Sequence, residues 1–369
     1  MSRRPILGIT MGDPSGNGPE ISVKTLMDPA VYEKCRPIIV GDAASMEAAV
    51  GTVKGAGHMK IRAVKHVSDA KYEFGTMDVL DMGLVDLKKR LYKKDKDALA
   101  KTMGAAELKE AYEESQIMCG ECAFQYVKKV IELAMAGEID ATVTNALNKD
   151  YINMAGHHYS GHTEIYAHYT GTKKYAMMLA HDELRVIHVS THVSLRNACD
   201  LVKKERVLDC IRMADEGCRA IGIRDPKIGV AGLNPHCGEN GMFGTEEIQE
   251  IQPAIDAAMA EGIHIPGGKP TPPDTVFSKA LGGWYDIVVV MYHDQGHIPL
   301  KVKGFVYNRE LKKWDAVAGI NVTLGLPIIR ASVDHGTGEG HAGDGNANEL
   351  SLVNAIDYAV RMANAKAEK

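Results

Sequence analysis

Short apolar runs alternate along the chain with longer amphipathic segments. The runs are rich in β-branched residues, as buried strands are: PILGIT, RPIIVG, IDATVTN, YAMMLA, LRVIHVST, KIGVAGLN and YDIVVVMY. The longer segments repeat apolar residues every three or four positions, as amphipathic helices do: CAFQYVKKVIELAMAG, RVLDCIRMADEGCRAIG, EEIQEIQPAIDAAMAEG and NELSLVNAIDYAVRMANAK. This alternation predicts an α/β fold with a largely parallel sheet.

Length and composition favour two globular domains. A chain of 369 residues with 45% apolar content can bury more than one core. The net charge of -5 offers no basic stripe, so a nucleic-acid partner is not expected. The N-terminal apolar stretch is too short for a signal peptide or a membrane span, which predicts a cytoplasmic chain with no membrane partner.

The cysteines predict reduced thiols. Seven cysteines are an odd number scattered over a long chain, which does not suit a disulfide framework. Cys119 and Cys122 form a lone C-x-x-C at the start of a helical pattern, with no second pair for a zinc site. We interpret this motif as ordinary helix packing rather than a redox centre.

Three histidines directly follow apolar runs. His192, His236 and His293 come after LRVIHVST, KIGVAGLNP and DIVVVMY. Because parallel strands end at one edge of a sheet, these side chains are candidates for a divalent-metal site, and neutral imidazoles suit Zn²⁺ or a related ion. The alternative is that each is a hydrogen-bonded loop histidine. Asp294 is a candidate to orient a ligating imidazole, and His297 a candidate to support the site from behind.

A second group of polar residues suits an anion. His162 and Thr163 stand ahead of a helical pattern, where backbone N–H groups meet phosphate or carboxylate, although Thr163 alone could be an N-cap. Arg330, Lys301 and Lys149 also follow or adjoin apolar runs. Arg330 has the planar fork that fits a multi-oxygen anion, whereas each cation taken alone could be a surface charge.

Two glycine-rich segments are candidates for nucleotide-binding loops. GITMGDPSGNGPE lacks the third glycine of G-x-G-x-x-G and has no G-K-[ST], which excludes the standard Rossmann and P-loop motifs. SVDHGTGEGHAGDGNANE is either a functional loop that could wrap a dinucleotide or a long turn.

Together the motifs resemble the 4-hydroxythreonine-4-phosphate dehydrogenase family over nearly the whole chain. The stretches that carry the resemblance are ITMGDPSGNGPEI, GHTEIY, VSTHVSLRN, GLNPHCGENGMFGTEEI, PPDTVF, YHDQGHIPLK and GINVTLGLPIIRASVDHGT. The resemblance implies a two-domain α/β/α fold similar to isocitrate and isopropylmalate dehydrogenases, with an active-site cleft between the domains. It places the first domain at 1–157 plus 325–369, and the second, with the metal ligands and dimer interface, at 158–324.

The resemblance also implies site residues and cofactors. His192, His236 and His293 would bind a divalent metal, Zn²⁺ first and Mg²⁺ or Co²⁺ as alternatives, in an active site shared across a homodimer. The residues that would hold a phosphorylated substrate are His162, Thr163, Lys301, Asn321 and Arg330. Asp274, in PPDTVF, is a further catalytic candidate, and Lys301 or a metal-linked water is the candidate general acid. The family binds NAD without the Rossmann fingerprint.

The expected activity is metal-assisted, NAD-dependent oxidation and decarboxylation of a phosphorylated 3-hydroxy acid, first 4-hydroxythreonine 4-phosphate of vitamin B6 biosynthesis. Two departures from the family pattern leave the substrate open. The excursion from Val306 to Ala318 replaces a short turn, and GHIPLK resembles a paralogous branch acting on D-threonate or D-erythronate 4-phosphate. A cis-diol carboxylate dehydrogenase is a further alternative, and a zinc hydrolase is the alternative from another class.

Overall fold

The chain forms two compact units. The computed structural model describes residues 3–310 and 313–368. Unit 1 comprises Met1–Thr172 and Leu326–Asn364, and unit 2 comprises Lys173–Gly325 and Ala365–Lys369. The sequence placed the first boundary after residue 157, whereas this division falls after Thr172, because the helix that follows residue 161 packs on unit 1.

Unit 1 contains a parallel sheet. Its strands are, in spatial order, β3 (Lys60–Val64), β4 (Thr76–Asp81), β2 (Arg36–Gly41), β1 (Ile6–Thr10), β5 (Ala141–Thr144) and β13 (Arg330–Val333). Its helices are α1 (Gly18–Leu26), α2 (Pro29–Lys34), α3 (Ala43–Thr52), α4 (Lys96–Leu99), α5 (Ala105–Met135), α6 (Lys149–Met154), α7 (His162–Tyr169) and most of α13 (Leu350–Ala367).

Unit 2 contains a mixed sheet. Its strands are, in spatial order, β12 (Ile320–Leu324), β6 (Ala176–His181), β7 (Leu184–His188), β9 (Ile287–Val290) and β8 (Ile228–Val230). β6 runs antiparallel to both of its neighbours, and the other pairs are parallel. Its helices are α8 (Leu195–Asp200), α9 (Lys204–Ala220), α10 (Gln252–Ala260), α11 (Val276–Leu281) and α12 (His293–Gly304).

The predicted elements are confirmed. Each apolar run contains a strand and each amphipathic segment contains a helix. The excursion after Phe305 is an antiparallel hairpin of β10 (Phe305–Asn308) and β11 (Lys313–Val317). Among the described residues, no helix has the length and apolarity needed to cross a membrane.

The C-x-x-C motif lies inside α5, where both thiols are buried. Burial raises the pKa of Cys122 to about 12 and also raises the pKa of Cys119, so neither thiol is a ready nucleophile. Helix packing accounts for this segment better than redox chemistry does. Gly120, between the two cysteines, lies so close to α6 that a Cβ there would be 2.1 Å from the backbone oxygen of Tyr151. Gly120 therefore permits the close approach of α5 and α6.

Replacing Gly120 with alanine should destabilise unit 1 although alanine is the better helix former. We expect the free energy of unfolding to fall by about 1–3 kcal/mol, because a backbone oxygen cannot move aside as a flexible side chain can. The matched control is Gly51→Ala in α3, where a Cβ would meet nothing within 4 Å. Urea unfolding measures both, and equal midpoints for the two variants would contradict the packing argument.

Candidate functional site

Arg330 is a buried cation at the start of β13, with 2% of its surface exposed. Its guanidinium donates to the hydroxyl of Thr163 at 3.4 Å and to that of Thr144 at 3.3 Å, and it lies 5.3 Å from the ring centroid of Tyr166. Burial lowers the pKa of Arg330 to about 10, so the group stays charged at neutral pH. The nearby carboxylate of Glu164 favours the charged form of Arg330, and the planar guanidinium has the geometry that suits a multi-oxygen anion.

His162 begins α7 beside this cation. Its Nε2 atom is buried and has no hydrogen-bond partner among the residues that the structure describes. Burial holds the pKa of His162 well below its usual value, and the positive charges of Arg330 and Lys149 lower it further. The structure thus brings together the predicted residues His162, Thr163 and Arg330, with Lys149 at the start of α6 nearby.

Anion binding at this group should strengthen as the pH falls. The free His162 is neutral, and a bound dianion would favour the imidazolium, so binding takes up a proton. Between about pH 8 and pH 6 we expect the dissociation constant for sulfate, whose charge is constant over this range, to fall by up to about tenfold per unit. Calorimetric titration measures it, and His162→Gln should remove the dependence. The same dependence in this variant would contradict the assignment.

His293 and His192 meet at a cavity in unit 2. The Nδ1–H of His293 donates to Asp294 at 2.7 Å, as predicted for a ligating imidazole, which directs Nε2 to any ligand. The ring centroids of His192 and His293 are 5.8 Å apart. The cavity has a volume of about 410 Å³ and is lined by Thr191, His192, Val193, Ser194, Leu195, Ala198, Tyr292, His293 and Asp294.

His236 lies in a loop with a left-handed backbone. The φ angles of His236, Cys237, Glu239 and Asn240 are 52°, 56°, 43° and 54°. Each non-glycine residue in this region costs about 1–2 kcal/mol, so the conformation needs support from its surroundings.

Buried Glu247 supplies that support. One of its oxygens accepts the backbone N–H groups of Leu233 and Asn234 at 2.8 and 2.7 Å, and the other accepts the Asn234 side-chain amide at 2.9 Å. Glu247 therefore ties the strand-end loop that presents His236 to the helix that follows. Nothing in the sequence pattern singled out this residue.

The imidazole donors of the three histidines suit a divalent transition ion, but the described part of one chain does not bring a full ligand set together. Within residues 3–310 and 313–368, no three histidine, cysteine or acidic side chains come close enough to hold a metal ion. His236 is not among the residues that line the cavity of His192 and His293.

The remaining candidates also lie in unit 2. The ammonium of Lys301, in α12, is 4.1 Å from the ring centroid of Phe305. Asn321 is half-buried in β12. Asp274 is exposed before α11. Burial, then Glu247, raise the pKa of Cys237 to about 11, and the charge of Asp274 adds a smaller contribution.

A family model described as "Pyridoxal phosphate biosynthetic protein PdxA" matches residues 33–359. The chain belongs to the PdxA family. It is 42% identical to a protein of Oceanobacillus iheyensis provisionally named D-threonate 4-phosphate dehydrogenase, over 99% of this chain and 100% of that protein. PdxA membership confirms the predicted family, and it places the chain among dehydrogenases.

Solved structures also resemble this PdxA protein. A 4-hydroxythreonine-4-phosphate dehydrogenase from Burkholderia phymatum superposes with a TM-score of 0.76 at 39% identity, covering 98% of both chains. A terephthalate 1,2-cis-dihydrodiol dehydrogenase from Burkholderia xenovorans superposes with a TM-score of 0.61 at 25% identity, covering 97% of this chain and 98% of that one. The predicted α/β fold class is confirmed.

Proposed function

We propose that this protein is an NAD-dependent dehydrogenase that oxidises and decarboxylates a phosphorylated four-carbon 3-hydroxy acid, with D-threonate 4-phosphate as the first candidate. The buried guanidinium of Arg330, held by hydroxyls and a ring face, carries the proposal because it suits a phosphate. The name of the 42% identical relative supports D-threonate 4-phosphate as the substrate.

The phosphate would bind to Arg330, Thr163 and His162. The Thr163 hydroxyl can donate to a phosphate oxygen, and His162 can do so once it is protonated. Lys301 and Asn321 are proposed further contacts to the substrate. Binding energy from the phosphate, which does not react, would position the carbon that does.

A divalent ion is proposed at His192, His236 and His293. When bound, it lowers the pKa of the substrate hydroxyl and stabilises the negative charge that develops as CO₂ leaves. Asp294 holds His293 with Nε2 available, and the Glu247 anchor holds the loop of His236. Zn²⁺ is the first choice for neutral imidazoles, with Co²⁺ or Mg²⁺ as alternatives.

A homodimer would complete the set of metal ligands. We propose that a second copy of this chain covers the exposed apolar side chains that follow those ligands in the sequence. Along the chain, each of the three ligands is followed by large apolar side chains that are exposed in the single subunit and that a second copy would cover. These residues are Val193, Leu195, Met242, Phe243, Ile298 and Val302. We propose that the partner's His236 completes the site.

NAD is proposed to bind unit 1. Within residues 3–310 and 313–368, no group donates a hydrogen bond to the buried side-chain oxygens Oδ2 of Asp13, Oδ1 of Asn17 and Oδ1 of Asn145. Ribose hydroxyls and the carboxamide of a dinucleotide are donors of the required kind. The glycine-rich segment 332–349 adjoins them, because the backbone N–H of Asn17 donates to the oxygen of Thr337 at 2.8 Å. NAD⁺ would accept the hydride released from the substrate carbon.

Residues of unit 2 are the proposed proton donors in the reaction. Oxidation passes hydride from the substrate carbon to NAD⁺ and releases the hydroxyl proton to solvent, which gives a β-keto acid. Loss of CO₂ then leaves a carbanion equivalent that must take up a proton. Lys301 is the proposed donor, from Nζ to that carbon, and Asp274 is a second catalytic candidate near the loop of His236.

The substrate can be tested with metal-loaded protein. NADH formation is compared for D-threonate 4-phosphate, D-erythronate 4-phosphate and 4-hydroxythreonine 4-phosphate, with unphosphorylated D-threonate as the control. We expect the highest kcat/KM with D-threonate 4-phosphate and about 100-fold less without the phosphate. A preference for 4-hydroxythreonine 4-phosphate, the second candidate supported by the 39% identical solved structure, would reassign the substrate.

A further inference from the structure

We infer that His297 is a positioning residue that holds the imidazole of His293 at the angle required for metal binding. This inference rests on the proposed metal site. Neither the proposed ligand set nor the substrate contacts include His297.

The two rings lie flat against each other. His293 and His297 are one helical turn apart in α12, their ring centroids are 3.6 Å apart, and their planes differ by 10°. The Nδ1–H of His297 donates to the backbone oxygen of His293 at 2.9 Å, which fixes the orientation of the supporting ring. One face of His293 is thereby covered, while its Nδ1 edge is held by Asp294 at 2.7 Å.

A third imidazole supports His297 from the sheet. His188 is fully buried in β7, its Nδ1–H donates to the oxygen of Met177 at 3.1 Å, and its ring centroid lies 4.8 Å from that of His297. α12 can approach this closely because residue 296 is glycine, where a Cβ would lie 2.6 Å from the Nε2 of His188. The layered rings therefore leave His293 no room to turn toward the sheet.

A flat ring is what the arrangement requires of residue 297. A branched aliphatic side chain would fill similar space without a planar face parallel to His293. Rotation of a ligating ring away from its productive angle weakens binding, and loss of supporting groups around metal ligands typically costs about 10–100-fold in affinity. His297 should therefore influence the metal's environment and not only the stability of α12.

Full-length variants titrated with Co²⁺ test this, read by affinity and by the visible ligand-field spectrum. We expect His297→Leu to weaken Co²⁺ by about tenfold or more and to alter the spectrum. His297→Phe, which keeps a flat ring, should stay nearer to the wild type in both. The matched control is His264→Leu, a histidine of the same unit that contacts Asp225 at 3.3 Å, and it should match the wild type.

The His293→Ala variant distinguishes a failure of the positioning role of His297 from a failure of the metal site itself. If it abolishes Co²⁺ binding while His297→Leu keeps wild-type affinity and spectrum, the positioning role is wrong and the metal site stands. If His297→Phe is impaired as strongly as His297→Leu, the flat ring is not the cause and the inference is again wrong. If His293→Ala binds Co²⁺ normally, the proposed metal site fails and the inference fails with it.

Discussion

Replacing His293 with alanine should reduce kcat by at least about 10³-fold. Lewis-acid stabilisation of a developing charge is worth several kcal/mol, and about 4 kcal/mol corresponds to three orders of magnitude in rate. His293 is the candidate ligand whose Nδ1 edge is held by a carboxylate, at 2.7 Å from Asp294, so its loss should remove an oriented ligand. NADH formation and bound metal, measured on the same preparation, test this.

The control for His293→Ala is His264→Ala, because His264 is an exposed histidine of the same unit. It should retain both metal and turnover. Turnover by His293→Ala at the wild-type rate with stoichiometric bound metal would remove His293 from the metal site.

Replacing Arg330 with methionine should raise KM for the phosphorylated substrate by about 10–100-fold. A charge-assisted hydrogen bond contributes about 1.5–3 kcal/mol, and each 1.4 kcal/mol changes binding tenfold. The free energy of unfolding should change little or increase, because methionine removes a buried charge whose desolvation is costly. This combination of weaker binding without loss of stability distinguishes a ligand-binding arginine from a structural one.

The matched variant for Arg330→Met is Arg212→Met, which removes a half-buried arginine paired with Glu261. It should leave KM unchanged. The effect of Arg330→Met should also disappear with unphosphorylated D-threonate, since that substrate has no phosphate to bind. An equal loss with both substrates would show that Arg330 does not recognise phosphate.

The strands, and the polar residues that follow several of them, could be predicted because both depend on short stretches of sequence. The run before His293 forms β9 and ends just before the polar residues, as predicted, whereas the run before Arg330 is not a strand and Arg330 instead begins β13, beside Thr163. The residues that surround these groups were not predictable. Thr144 and Tyr166 act on Arg330 only after distant segments pack together.

Long-range geometry explains the other omissions. In the sequence, Glu247 looks like an ordinary polar residue of a helix. Its burial beneath the loop of His236 depends on the left-handed backbone of that loop, which the sequence does not reveal. The antiparallel direction of β6 follows from a tight β6–β7 connection between two runs that otherwise look like parallel strands. The sequence named His297 as a candidate supporting residue, but the parallel stacking of its ring on His293 depends on side-chain geometry that only the structure gives.

The most direct test of the proposed chemistry is to measure NADH and CO₂ together from D-threonate 4-phosphate, with metal-loaded and with chelated protein. Oxidation followed by decarboxylation predicts equal amounts of the two products, both lost on chelation and restored by adding the metal back. Release of inorganic phosphate without NADH would contradict the proposal and favour a hydrolase.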